Sequence, residues 1–194
     1  TLCRDWSSWD DTYLFIKDKS NEHLQTHLQQ KTFIINKLNF ILFCDTSGYV
    51  VWWDCYDLVT GEGMESSDSL KDQILKESRL VSYNPDSSLS SVSGVLTVKP
   101  YPLLLSSHPV MKGTSGGSMQ GYVVFGRFLD PDLVEEFNDQ SEFDFDVITI
   151  REETISTELK EIADQITDDN PQLILPGEDS SLYAYTTAPD INGK

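Results

Sequence analysis

This 194-residue sequence predicts an α+β fold: a long N-terminal helix followed by antiparallel sheets in two lobes, the second small and incomplete. Three observations predict it. Apolar residues recur at helical spacing from Leu2 to Leu28. Between Phe40 and Phe128 lie five stretches rich in β-branched and aromatic residues, bounded by turn residues and interleaved with helical patterns. After residue 142 the pattern starts again with a strand, an amphipathic helix and a strand pair. The expected division is 1–31 for the helix, 32–141 for the larger lobe and 142–194 for the smaller one.

In the first helix, Leu2, Trp6, Trp9, Tyr13 and Ile16 fall on one stripe at about 100° per residue. Asp5 and Asp10 border that stripe, while Asp11 points away with Phe15. The stripe continues through Leu24 and Leu28, and about 30 residues of unbroken helix would span about 45 Å. Two tryptophans and a tyrosine on one stripe read as a spine against which other elements pack. His23 and His27, four apart, could share a metal, but no third ligand lies near them in sequence, so a plain helix surface is the better reading.

The larger lobe opens with a short approach at Phe33-Ile34-Ile35. Phe40 to Cys44 reads as a buried strand, Asp45-Thr46-Ser47-Gly48 as a turn and Tyr49 to Tyr56 as the return strand. Asp57 to Glu65 is a loop. Ser69 caps a helix whose apolar face is Leu70, Ile74, Leu75 and Leu80. The serine-rich stretch from Asn84 to Ser93 is a loop, and strands follow at Gly94–Val98, Tyr101–His108 and Gln120–Phe128. Asp130 and Pro131 begin a helix as its cap and first residue. In the smaller lobe the expected elements are a strand from Phe143 to Ile150, a helix from Thr157 to Ile166, and strands around Leu173-Ile174-Leu175 and Leu182 to Tyr185.

Charge narrows the partners. The net charge is −18, from 14 Lys and Arg against 32 Asp and Glu, which lacks the basic footprint that nucleic acid or an anionic membrane surface requires. Between Asp130 and Asp179 only Arg151 and Lys160 are basic, so the smaller lobe carries most of the excess. The best apolar run, Phe33 to Cys44, falls short of the ~20 residues of a membrane span and contains Asn36, Lys37 and Asn39. The chain opens inside a helical pattern and closes on a turn-like Asp190 to Lys194, so the expectation is an excised piece of a longer protein.

Catalytic signals are lacking. Lys112 to Ser118 is rich in glycine but lacks the ending of a phosphate loop and joins two strands, so it reads as a hairpin tip. Asp10 and Asp11 diverge by about 100° on a helix and cannot easily share one metal. Their expected role is anchoring: Asp10 can accept from a tryptophan N–H or an arginine, and Asp11 can grip the neighbouring lobe. No Ser/His/Asp pattern and no H-E-x-x-H motif appears, so no catalytic residue, metal ligand or cofactor is assigned. Cys3, Cys44 and Cys55 make no disulfide framework. The short turn would pair Cys44 with Tyr49, and buried free thiols are the expectation.

Several motifs in fixed order resemble the fourth CHASE family of extracellular sensing domains associated with cyclases and histidine kinases. They are Asp5-Trp6-Ser-Ser-Trp9-Asp10-Asp11-Thr-Tyr13-Leu-Phe15, Thr32-Phe33, Cys44-Asp45-Thr-Ser-Gly48, Asp57-Leu-Val-Thr-Gly61-Glu62, Ser107-His-Pro109-Val, and Gly121 to Asp130. His108 stands where the family usually has a longer basic residue. The resemblance covers about residues 5 to 151 and implies two PAS-like, Cache-type lobes with a long helix beside both. It also implies an extracytoplasmic domain, flanked by membrane helices absent from this chain, that belongs to a signalling protein such as a two-component histidine kinase. The expected ligand is an unidentified small molecule held in the larger lobe between one sheet face and the loops at 57–65 and 84–93. Trp52 or Trp53, Tyr56, Tyr101, Ser107, His108 and Arg127 could reach it, and alternation lets only one of the two tryptophans face inward. The competing expectation is a ligand-free dimerisation and transmission module that pairs through its N-terminal helix.

Overall fold

The computed structural model describes residues 2–19, 22–64, 67–76, 91–112, 118–150, 155–177 and 181–193, with the side chains of residues 23, 24 and 67 left aside. The expected loop at 84–93 falls almost wholly outside these residues, as do the core of the 112–118 glycine run and Leu80. By contact density the chain divides into two units, Thr1–Asp130 and Pro131–Lys194.

The N-terminal stretch is not one helix. It forms α1 (Leu2–Ser7), α2 (Asp10–Asp18), α3 (Glu22–His27) and α4 (Gln30–Asn36). Local chemistry sets the breaks. The Ser7 and Ser8 hydroxyls both donate to the Arg4 carbonyl, at 2.7 and 3.0 Å, a back-bonding that bends helices. The Ser8 amide turns instead to Asp5 O, and Trp9 adopts an extended conformation (φ −77°, ψ 135°). At the far end of α2, Lys19 lies in the left-handed region (φ 56°) and returns its amide to Phe15 O. Lys37 ends α4 in the same way.

Re-phasing at the break changes which residues are buried. Trp6 and Ile16 are in the core as the stripe requires, but Phe15 is buried with them, and Trp9 stays 39% exposed. On an unbroken helix Phe15 and Trp6, nine residues apart, would point in opposite directions. Only the break lets both reach the sheet.

Five strands form one antiparallel sheet: β1 (Phe40–Asp45), β2 (Val50–Cys55), β3 (Val92–Leu96), β4 (Leu103–Met111) and β5 (Met119–Phe128), in the order β2-β1-β5-β4-β3. Cys44 pairs with Val50, not with Tyr49, because a bulge after Phe43 shifts the register and Asp45 and Tyr49 close the turn. Gly121 is fixed by this packing: a Cβ there would lie 2.0 Å from the Cys44 backbone oxygen. Asn39 sews the ends of three strands together. Its side chain donates to Tyr56 O (3.0 Å) and accepts from the Phe128 amide (2.9 Å), and its backbone bonds Gly126 and Tyr56. Helix α5 (Ser67–Lys76) buries Leu70 and Ile74 as its spacing predicts.

In the second unit, α6 (Pro131–Gln140) starts at the expected proline, and α7 (Thr157–Gln165) is capped by the Ser156 hydroxyl, which accepts from the Leu159 amide (3.2 Å). Strands β6 (Gln172–Pro176) and β7 (Leu182–Thr186) pair antiparallel. The strand expected from Phe143 to Ile150 does not form; these residues pair with no neighbouring strand. Asn138 takes the place of a strand partner, its side-chain amide bonding both the N–H and the C=O of Phe145 (2.9 and 3.0 Å). The Phe137 and Phe145 rings stack beside it, 6.2 Å apart.

Candidate functional site

Alternation divides the sheet of the first unit into two faces, and the register carries each face across the strands. Trp53, Leu42, Val124 and Ser107 form one row. Trp52, Phe43, Val123 and His108 form the next row, on the opposite face.

The second row is covered by the N-terminal helices. Trp6 of α1 lies 5.3 Å from Phe125 and 6.4 Å from Phe43, centroid to centroid, and Phe15 of α2 meets Phe43 edge-on at 5.5 Å. Trp52 lies 6.4 Å from Phe33 of α4, and Tyr56 lies 4.6 Å from that same ring. His108 takes its place here beside Val123, and burial followed by the charge of Arg4 holds its pKa below the usual histidine range. Arg127 alternates onto the same face as Phe125 and is half-buried. These four of the seven residues expected near a ligand belong to the helix-covered face.

The first row looks the other way. Trp53 packs 6.3 Å from Phe40, and Lys71 of α5 holds its ammonium 4.5 Å above the indole while pairing with Asp68 at 2.7 Å. Ser107 is buried on β4, three strands away from Trp53 along the row. The alternation is thereby resolved: Trp53 faces α5, and Trp52 faces the N-terminal helices. Tyr101 stands before β4 and is exposed. Among the described residues the α5-bearing face is otherwise apolar, lined by Leu42, Val124, Leu105 and Leu70, and the polar chemistry they leave exposed is a cation set on an indole. Sequence reading missed Lys71, because one lysine on an amphipathic helix carries no signal until the helix docks.

The acidic motif residues build turns. Asp45 accepts from the Ser47 amide (2.9 Å) and hydroxyl (2.6 Å) and from the Tyr49 amide (3.0 Å). Burial pushes its carboxyl up, but these donors and Lys19 outweigh burial and leave its pKa lowered. Asp57 accepts from the Thr60 and Val59 amides (2.9 and 2.8 Å), and the Thr60 amide above all lowers its pKa. Gln30 of α4 donates to Gly61 O and clips this loop to the helices. Asp5 and Asp10 are exposed, Asp11 is half-buried, and Trp9 stacks on the outer side of Trp6 at 5.1 Å. The Tyr13 hydroxyl lies 3.4 Å from that of Ser118.

All three cysteines are buried and free, and burial pushes each thiol up to about 12. Among the described residues no group of three or more His, Cys, Asp or Glu could hold a metal ion, and no helix is long and apolar enough to cross a membrane.

Comparison with known proteins gives the following. The chain is 25% identical over 126 residues to the methanogenesis regulatory histidine kinase FilI of Methanothrix harundinacea (strain 6Ac); the match takes in 65% of this chain and 14% of that kinase. Among solved structures it is similar to a domain of a sensory box/GGDEF family protein from Vibrio parahaemolyticus (TM-score 0.45, 18% identity, 69% of this chain and 52% of that one). It is also similar to the extracellular domain of a protein described as a histidine kinase (TM-score 0.45, 17% identity, 69% of this chain and 50% of that one). The chain thus spans about half of these solved chains and a small part of the kinase. A family model, the CHASE4 domain, matches residues 1–148, which take in every motif from the Trp6–Tyr13 stretch through Asp130. The chain therefore belongs to the CHASE4 family of extracellular sensor domains.

Proposed function

We propose that this chain is the extracytoplasmic, ligand-sensing part of a transmembrane signalling protein of the histidine kinase type, built as two PAS-like lobes. The match to the CHASE4 family over residues 1–148 carries the reading. The kinship with a regulatory histidine kinase supports the choice of output. The ligand is a small molecule, and its site is the α5-bearing face around Trp53, Lys71 and Ser107. On the opposite face the N-terminal helices read the sheet through Trp6, Phe15 and Phe33, so occupancy on one face biases the packing on the other. The domain itself performs no catalysis.

A thermal-shift screen of the purified chain against amines, carboxylates, sugars and metal salts tests this. A true ligand at about 100 times its Kd adds about 2.7 kcal/mol of stability. Trp53→Ala should abolish the shift while leaving the fold intact. A second reading, a ligand-free module that dimerises through its N-terminal helices, draws on the exposure of Ile34 and Ile35 on α4. If no compound moves the melt and the chain is a dimer broken by Ile35→Asp, that reading replaces the first.

A further inference from the structure

Two sulfurs meet at the end of β2. The Cys55 thiol donates to the Met64 thioether at 3.4 Å. Cys55 is buried, pairs in register with Phe40 and alternates onto the same face as Trp53, the one that bears α5. Met64 comes from the loop after β2, which folds back on the strand. Tyr56 and Gly63 form an antiparallel bridge there, and the Met64 amide donates to Cys55 O at 3.1 Å. α5 (Ser67–Lys76) begins shortly afterwards. Among the described residues, the Met64 thioether is thus the last side chain fixed to the sheet before the helix that holds Lys71 over Trp53.

The two sulfurs differ in reactivity. The Cys55 thiol is 1% exposed, and burial first, then the charges of Asp54 and Asp57, push it up to about 12. Almost no thiolate forms near neutral pH, so this sulfur is inert toward oxidants. A thioether needs no ionisation, and Met64 is only half-buried, within reach of a small oxidant. Adding oxygen to its sulfur turns a flexible apolar group into a polar one. Sulfurs 3.4 Å apart leave no room for that oxygen between them. The thiol is a weak donor and Phe40 offers none, so the oxidised side chain is better placed in water, and the anchor ahead of α5 is lost.

We propose that Met64 is a reversible oxidation site, at which peroxide converts the thioether to the sulfoxide and loosens α5 over the Trp53–Lys71 pair. A sulfur lone pair attacks one peroxide oxygen; the S–O bond forms as the O–O bond breaks. The proton on the transferred oxygen passes to the departing hydroxide, which leaves as water, so methionine loses an electron pair and peroxide gains it. The modification stands on the geometry of the loop, and its bearing on sensing rests on the ligand site proposed above.

The test treats the 194-residue chain with hydrogen peroxide and locates added oxygen by peptide mass mapping. Thermal melting and the fluorine NMR signal of 5-fluorotryptophan at position 53, identified by Trp53→Phe, report the effect. Oxygen on Met64 should lower the melting midpoint by about 5 °C, as expected for a polar group placed on an apolar face, and should move the Trp53 signal. Methionine sulfoxide reductases should restore both. Met64→Leu, a volume-conserving change, should abolish both effects while Met111 and Met119, also half-buried, still take up oxygen. If that variant does not fold, Met111→Leu combined with Met119→Leu decides, since it leaves Met64 as the sole methionine: the effects must persist there, and their loss overturns the site. The proposal is also overturned by a Met64 that stays unoxidised when the other two are fully converted, or by one that is oxidised with melting and the Trp53 signal unchanged. A chain that responds at Met64 but binds no compound refutes the sensor reading alone, and one that binds with an inert Met64 refutes the oxidation site alone.

Discussion

Two neighbouring tryptophans of one motif have unequal roles, and the difference is one of exposure. Trp6 is 3% exposed and wedged between Phe43 and Phe125, whereas Trp9 lies over it from outside. Removing a large side chain from a closed core forfeits its transfer energy and leaves a cavity. Trp6→Ala should therefore cost about 3–5 kcal/mol in a denaturant titration. Trp9→Ala opens no cavity and should cost about 1 kcal/mol, the worth of a stacked aromatic contact at a partly wet site. Equal losses at the two positions would mean that Trp9 is buried in solution. From the sequence both belong to one stripe; the extended backbone at Trp9, beside two serine hydroxyls turned back to the Arg4 carbonyl, separates them.

At the level of elements, the sheet depends on a residue that no motif singles out. Asn39 looks in sequence like a polar interruption of an apolar run, yet it is 2% exposed and joins the starts and ends of β1, β2 and β5. Asn39→Ala leaves the Phe128 amide and the Tyr56 carbonyl without their partner. Each such buried group costs about 1–3 kcal/mol, so a loss of about 2–4 kcal/mol is expected from urea unfolding, with the m-value unchanged. A loss below about 1 kcal/mol would show that water replaces the amide. The strand pattern itself was legible: alternation and turn residues placed all five strands within a few positions. The failed strand at 143–150 has an equally plain cause. Its alternating Phe and Asp residues fit a strand, but a strand needs a neighbour, and among the described residues the Phe145 backbone is met by the Asn138 side chain instead.

Taken whole, the molecule should weaken in acid by a route that starts at the helix-covered face. His108 has a folded pKa below its unfolded value, because burial and then Arg4 disfavour its charged form. The unfolded chain therefore binds the proton more readily, so stability falls as pH drops from about 6.5 through the lower folded pKa. Asp45 and Asp57, both lowered, add a further loss once pH falls below their ordinary range near 3.8. Melting temperatures measured from about pH 7 to pH 5 should decline, and His108→Asn should flatten that decline. An unchanged slope in the variant would assign the effect elsewhere. The sequence by itself determined the α+β class, the five strands, the family and the absence of a basic footprint, because composition, alternation and motif order are local properties of the chain. Only the tertiary structure decided which face each tryptophan of the Trp52–Trp53 pair takes, and it separated Trp53 and Ser107 from His108 and Arg127. It also decided that the long helix is four short ones, because register, helix breaks and burial are settled by packing partners far apart in sequence.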